Sequence, residues 1–224
     1  MARKAAESAG FAGFPAEAFD FYDRLADNNT RPWWNEHKDE YVQAIKSPLE
    51  ALLAELEPEF GTPKVYRPYN DTRFAKGKPP IKDHQGGVVE IEDAMGYYVQ
   101  VSASGLMVAG GWYAPQGQQT ARYRESVDSP PGAELERIVK AMRRTWEIDG
   151  DPVKTQPRGY AADHPRIELL RNRRLTVARH YPIEARLGTR KAFALVRDGW
   201  RGMRPLMEWL ADYVGPANDP GKDE

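Results

Sequence analysis

The hydrophobic period of this chain changes twice, and this constrains its fold more than any single residue does. Up to about residue 60 apolar side chains recur at helical spacing; between 87 and 113 they alternate; from 116 the helical spacing returns. Residues 15–27 read as a helix opened by Pro15, with Phe14, Ala18, Phe19, Tyr22 and Leu25 on one face, and Asn28-Asn29 ends it. A second helix starts near Thr30 or Pro32 and carries Trp33, Trp34, His37, Tyr41 and Ile45. Ser47-Pro48-Leu49-Glu50 reads as a restart with a capping box, and Gly61 and Pro63 stop the helix that follows.

Lys64 to Asn70 fits a short strand. Residues 87–92, 96–103 and 105–113 fit a meander with a tight turn at Ser104-Gly105. Gly110-Gly111 implies close approach by another backbone or a ligand. Helices are predicted over 116–127, 132–147, 166–171, 189–198 and 202–214, with a strand over 174–181. Helices, then strands, then helices predict an α+β fold, a single domain in which a mainly antiparallel sheet packs with N-terminal and C-terminal helices. The expected organisation is a disordered segment 1–13, a domain over 14–214 and a flexible tail 215–224.

Composition bears on function mainly by exclusion. With 41% hydrophobic and 29% charged residues the chain is globular. Without cysteine it has no disulfide framework, thiolate metal site or thiol nucleophile. No apolar stretch suits a secretory signal or a membrane span, so a cytoplasmic protein is expected, with no membrane partner. No cofactor fingerprint and no metal-ligand spacing occurs, and the oligomeric state is not legible.

The formal net charge of −1 hides an uneven distribution. Residues 1–60 carry 6 basic and 12 acidic side chains, and 205–224 total −4. Residues 64–84 carry 6 basic against 2 acidic, and 154–179 carry 7 against 2. In the first basic segment Arg73, Lys76, Lys78 and Lys82 interleave with glycine and proline, too irregularly for a helix face, and Asp71 is placed to orient Arg73. In the second, Arg158 precedes Gly159-Tyr160, and Asp163 adjoins His164. That pair reads either as a carboxylate-held imidazole for acid–base work or as a helix N-cap before Pro165.

These motifs, taken in order, resemble an uncharacterised family of bacterial and fungal proteins, domain of unknown function 2461. The resemblance runs from about Phe14 to Tyr213. It rests on Asn28-Asn29, Arg31, Trp33-Trp34, Lys38 and Tyr41; on Asn70 to Lys82; on Gly110-Gly111-Trp112-Tyr113 with Arg124; and on Pro157-Arg158-Gly159-Tyr160 with Asp163-His164-Pro165. Asn70 and Ile81 depart from the family pattern, which has Arg and Tyr there. The resemblance implies membership but no activity.

The expected function is binding of a small anionic or phosphorylated ligand in a cleft formed by loops 70–84 and 157–165. Arg73, Lys76, Lys78, Lys82 and Arg158 would hold the anion. Asp163 and His164 are the candidate catalytic pair, and Asp71, Trp112, Tyr160, Arg31 and Lys38 are expected to line the pocket. A nucleic-acid-binding module is the alternative, disfavoured by a pI near 6.5. A structural protein whose basic loops pair with its own acidic helices is the other.

Overall fold

A computed structural model gives an α+β fold built on one six-stranded antiparallel sheet, in the order β1-β2-β3-β4-β6-β5. It describes residues 10–71, 77–116 and 118–217. The strands are β1 (Pro63–Val65), β2 (His84–Glu92), β3 (Met95–Ser102), β4 (Gly105–Trp112), β5 (Glu147–Asp149) and β6 (Leu175–Tyr181). The helices are α1 (Glu17–Asp27), α2 (Arg31–Tyr41), α3 (Ser47–Phe60), α4 (Gln119–Asp128), α5 (Pro131–Met142), α6 (Ile167–Leu170) and α7 (Lys191–Tyr213). Among the described residues no helix is long and apolar enough to cross a membrane.

The chain divides into two compact units. One comprises Met1–Val89, Tyr98–Met107 and His180–Asp198; the other comprises Glu90–Tyr97, Val108–Arg179 and Gly199–Glu224.

In the first unit α1 buries the predicted face, Ala18, Phe19, Tyr22 and Leu25, and Phe21 with it. Thr30 caps α2, accepting from the Trp33 N–H. The capping box expected at Ser47 and Glu50 does not form. The helix runs on from α2 through a π turn, Val42–Lys46, into α3, and the Ser47 N–H donates to the Val42 carbonyl. Pro48 explains this: it has no N–H to donate one turn back and its ring crowds that carbonyl, so the helix widens by one residue and continues. Leu49, Leu52, Leu53 and Leu56 are buried as expected. Strand β1 pairs antiparallel with β2, Lys64 opposite Val88.

The N-terminal boundary differs from expectation. Phe11 is buried against Phe14, and its N–H donates to the Glu55 carboxylate, which Arg190 also holds. Residues 1–9 lie outside the described residues.

From Gly199 onward α7 belongs to the second unit. It forms one helix where two were predicted, because Gly199 marks a close packing against Val108 rather than a break. Trp112 is fully buried: its ring lies tilted against Tyr123, centroids 5.3 Å apart, and its indole N–H donates to Gln119. Helix α5 stops at Met142, and Glu147 begins β5, which pairs antiparallel with β6. Residues 215–217, expected to fray, are held. The carbonyls of Gly215 and Pro216 accept from Gln119 and Arg122, and the Ala217 N–H donates to Asp93.

Candidate functional site

The first basic segment is anchored at its base by main-chain and amide hydrogen bonds. Tyr69 and Ile81 form an isolated antiparallel bridge; the Asn70 N–H donates to the Pro80 carbonyl, and the Lys82 N–H to that of Pro68. The Asn70 amide donates to the carbonyls of Pro79 and Ile81. From outside the loop, Asn29 grips both polar groups of the Ile81 main chain. Asn70 and Asn29 thus act on the same turn.

Above this base the cations gather around Tyr66. The Lys82 Nζ lies 5.4 Å and the Lys64 Nζ 5.9 Å from its ring centroid, within cation–π range. Burial lowers the pKa of Lys82 from its ordinary value, and the nearby charges of Arg67 and Lys78 lower it further. Arg67, Lys78 and Lys82 form no ion pair among the described residues. The neighbouring carboxylate of Asp83 turns to His84 instead, 2.7 Å from its Nδ1.

Tyr66 is itself fixed from below. The buried Gln85 donates to its carbonyl at 2.6 Å and accepts from the Tyr41 hydroxyl at 2.6 Å. Burial raises the pKa values of Tyr22, Tyr41 and Tyr98, so these phenols stay protonated; Tyr41 donates to Gln85 and Tyr98 to Gln100. Beside Tyr66 opens a cleft of about 410 Å³, lined by Trp34, Lys38, Tyr41, Arg67 and Tyr69 among others.

Of the residues expected here, Lys78 and Lys82 stand in this cation group and Lys38 lines the cleft. Arg31 is exposed at the start of α2, and Asp71 is exposed at the loop's edge. Arg73 and Lys76 lie outside the described residues. Tyr66, Arg67 and Gln85 were not singled out. Arg67 was available from the charge count, whereas Gln85 gave no signal before its burial was known.

The second basic segment lies in the second unit, and its arginines serve the fold. Arg166 donates to the carbonyls of Val127, Asp128 and Ser129, closing the end of α4. Arg171 holds the carbonyls of Val153 and Lys154. Arg173 binds Asp151, Arg174 binds Asp149, and Arg179 donates to the Thr145 carbonyl while lying 4.3 Å from the Trp146 ring centroid. Arg158 is exposed and shares none of these ties.

The carboxylate against the His164 imidazole is that of Asp128, not the neighbouring Asp163. His164 Nε2 donates to Asp128 Oδ1 at 2.9 Å, while Nδ1 accepts the Arg166 N–H at 3.0 Å. The Nδ1 contact sets the tautomer, because only an unprotonated nitrogen can accept from a backbone N–H. Asp163 is exposed, and the residue flanking α6 is Arg166, so Asp163 is not the cap either. Tyr160 sits with its ring centroid 6.5 Å from that of His164; burial, then the charge of Asp128, raises its pKa. Trp112, expected to line a pocket, belongs to the core: a tryptophan at the end of a sheet next to two glycines is enclosed when a helix crosses them. Among the described residues no group of three or more histidines and carboxylates is placed to hold a metal.

Residues 17–209 match the model of a family described as conserved hypothetical protein (DUF2461). No curated protein and no solved structure matches the chain.

Proposed function

We propose that this chain, which belongs to the DUF2461 family, binds a small anionic ligand at the cation group of Arg67, Lys78 and Lys82. The observation that carries this reading is the placing of Lys82 and Lys64 over the Tyr66 ring, next in sequence to Arg67, where neither Lys82 nor Arg67 has a carboxylate partner among the described residues. Like charges at short range raise the energy of the folded chain, and a bound anion relieves it. Sequence places Arg73 and Lys76 in the same loop. A phosphorylated ligand suits the mixture of guanidinium and ammonium donors.

The reading is confined to the first unit because the arginines of the second basic segment are committed to carbonyls and aspartates there. Arg158 is the exposed exception, and Asp163 and His164 carry no reaction in this proposal. A small ligand is favoured over a polynucleotide by the net charge of −1, which offers no extended basic surface. A cytoplasmic location belongs to the same reading, supported by the cysteine-free composition.

Titration calorimetry of the full chain with inorganic phosphate and sulfate tests it. Saturable binding that weakens with added salt, and that falls about tenfold or more in Lys82→Ala, is the expected result. No binding at low salt, or binding unchanged in both Lys82→Ala and Arg67→Ala, would sink the idea.

A further inference from the structure

We infer that the ligand of this site carries a small planar ring joined to its anionic group, the chemistry of a nucleoside monophosphate. This rests on the anion reading above and extends it to the adjoining cleft.

Tyr66 and Arg67 belong both to the cation group and to the lining of the cleft. An anion held by Lys82 and Arg67 therefore has its remaining atoms at the mouth of a space of about 410 Å³. That space falls within the roughly 300–1,000 Å³ typical of small-molecule sites.

Its walls are aromatic and fixed. Trp34 is buried, with its ring centroid 4.8 Å from that of Tyr41 and 5.7 Å from that of Tyr69. The Trp34 indole N–H donates to the Tyr69 hydroxyl at 3.2 Å, and the Tyr69 main chain is pinned in its bridge with Ile81. Tyr69 nevertheless remains 41% exposed. An exposed aromatic ring held at its hydroxyl and its main chain offers a face for stacking at little entropic cost, since its rotamer is already chosen.

The charges around the cleft suit a ligand with one anionic end. Lys38 lines the cleft and forms no ion pair among the described residues. Lys46 is already engaged with Glu50 at 3.6 Å, and that carboxylate disfavours a second negative group deeper in the cleft. A planar heteroaromatic ring with polar edges matches the exposed Tyr69 ring, which the buried Trp34 and Tyr41 back, with Glu50 available as an acceptor.

The test compares inorganic phosphate, ribose 5-phosphate, AMP and UMP by calorimetry on the full chain. AMP and UMP are expected to bind about tenfold tighter than ribose 5-phosphate, which should match phosphate. Tyr69→Ala should remove that advantage while phosphate still binds, and Tyr69→Phe, which keeps the ring but loses the hydrogen bond from Trp34, should retain part of it. Equal affinities for AMP, UMP and ribose 5-phosphate overturn the ring inference and leave the anion site standing. Failure of all four compounds overturns the anion site itself. A single-stranded oligonucleotide that outcompetes AMP overturns the inference in favour of a polymer.

Discussion

The side-chain amide of Asn29 closes a reciprocal hydrogen-bond pair with the main chain of Ile81, donating to its carbonyl at 2.9 Å and accepting from its N–H at 3.1 Å. Ile81 is almost wholly buried, so water cannot easily take over either role. The pair ties the end of α1 to the residue before Lys82, linking the helix-ending Asn-Asn motif to the basic loop. Asn29→Ala leaves the Ile81 N–H unsatisfied and should destabilise the fold by about 1–3 kcal/mol. Urea denaturation measures the loss. Phosphate affinity should fall alongside it, because Lys82 then stands on a looser base.

Gly86 is fixed by Tyr98. A methyl group there would lie inside contact distance of the Tyr98 hydroxyl and only 2.6 Å from its ring carbons. Gly86→Ala should cost about 1–3 kcal/mol, as overpacking does elsewhere. Removing the obstructing ring in Gly86→Ala/Tyr98→Ala should make the cost less than the sum of the two single changes. Gly159→Ala is the control: that residue has φ +94° but nothing within 4 Å of an added Cβ, so only backbone strain is at issue. Additive losses in the Gly86 pair would show that the ring is not the obstacle.

Gly86 also illustrates what the sequence could and could not show. The alternation over 96–103 and the helical spacing over 132–147 are local properties; the strand formed where the pattern put it, and the helix formed but ended at Met142. Gly110-Gly111 reads as a close-approach site. Gly111 indeed abuts the Leu175 carbonyl, while at Gly110 a Cβ would meet the Met203 Sδ at 2.8 Å. The capping box failed because Ser47-Pro48 looks the same at a helix start and inside a π turn, and only the course of the preceding helix tells them apart. Asp128 is 36 residues from His164 and invisible to any local motif; the adjacent Asp163 was the misleading neighbour. Charge counting found both basic segments. It cannot show whether an arginine is used on carbonyls, as at 166 and 171, or has no counter-ion among the described residues, as at 67.

That difference separates Arg166 from Arg158. Arg166 satisfies three carbonyls at the end of α4. Arg166→Ala should cost about 1–3 kcal/mol, with Arg166→Lys recovering only part, since an ammonium lacks the planar fork. Arg158→Ala should leave the melting temperature unchanged. A comparable loss in both variants, followed by thermal unfolding, would mean that the second segment is not divided in this way.

Lys82 supplies the pH dependence. Its folded pKa lies below the ordinary 10.5, through burial and the charges of Arg67 and Lys78. The folded chain therefore releases this proton more readily than the unfolded chain does. Below the lowered pKa the charged lysine costs stability, and that cost disappears as pH rises from there towards 10.5. Anion affinity runs the other way, because binding needs the protonated amine and raises its pKa again. Sulfate is the suitable probe, since its own charge stays constant over the range. Its affinity should decline with rising pH before ordinary lysines titrate. Lys82→Arg should abolish the early decline, because a guanidinium keeps its proton. Lys82→Met should bind weakly with no early decline. If the wild type and Lys82→Arg show the same alkaline profile, Lys82 is not the titrating group and the anion sits elsewhere.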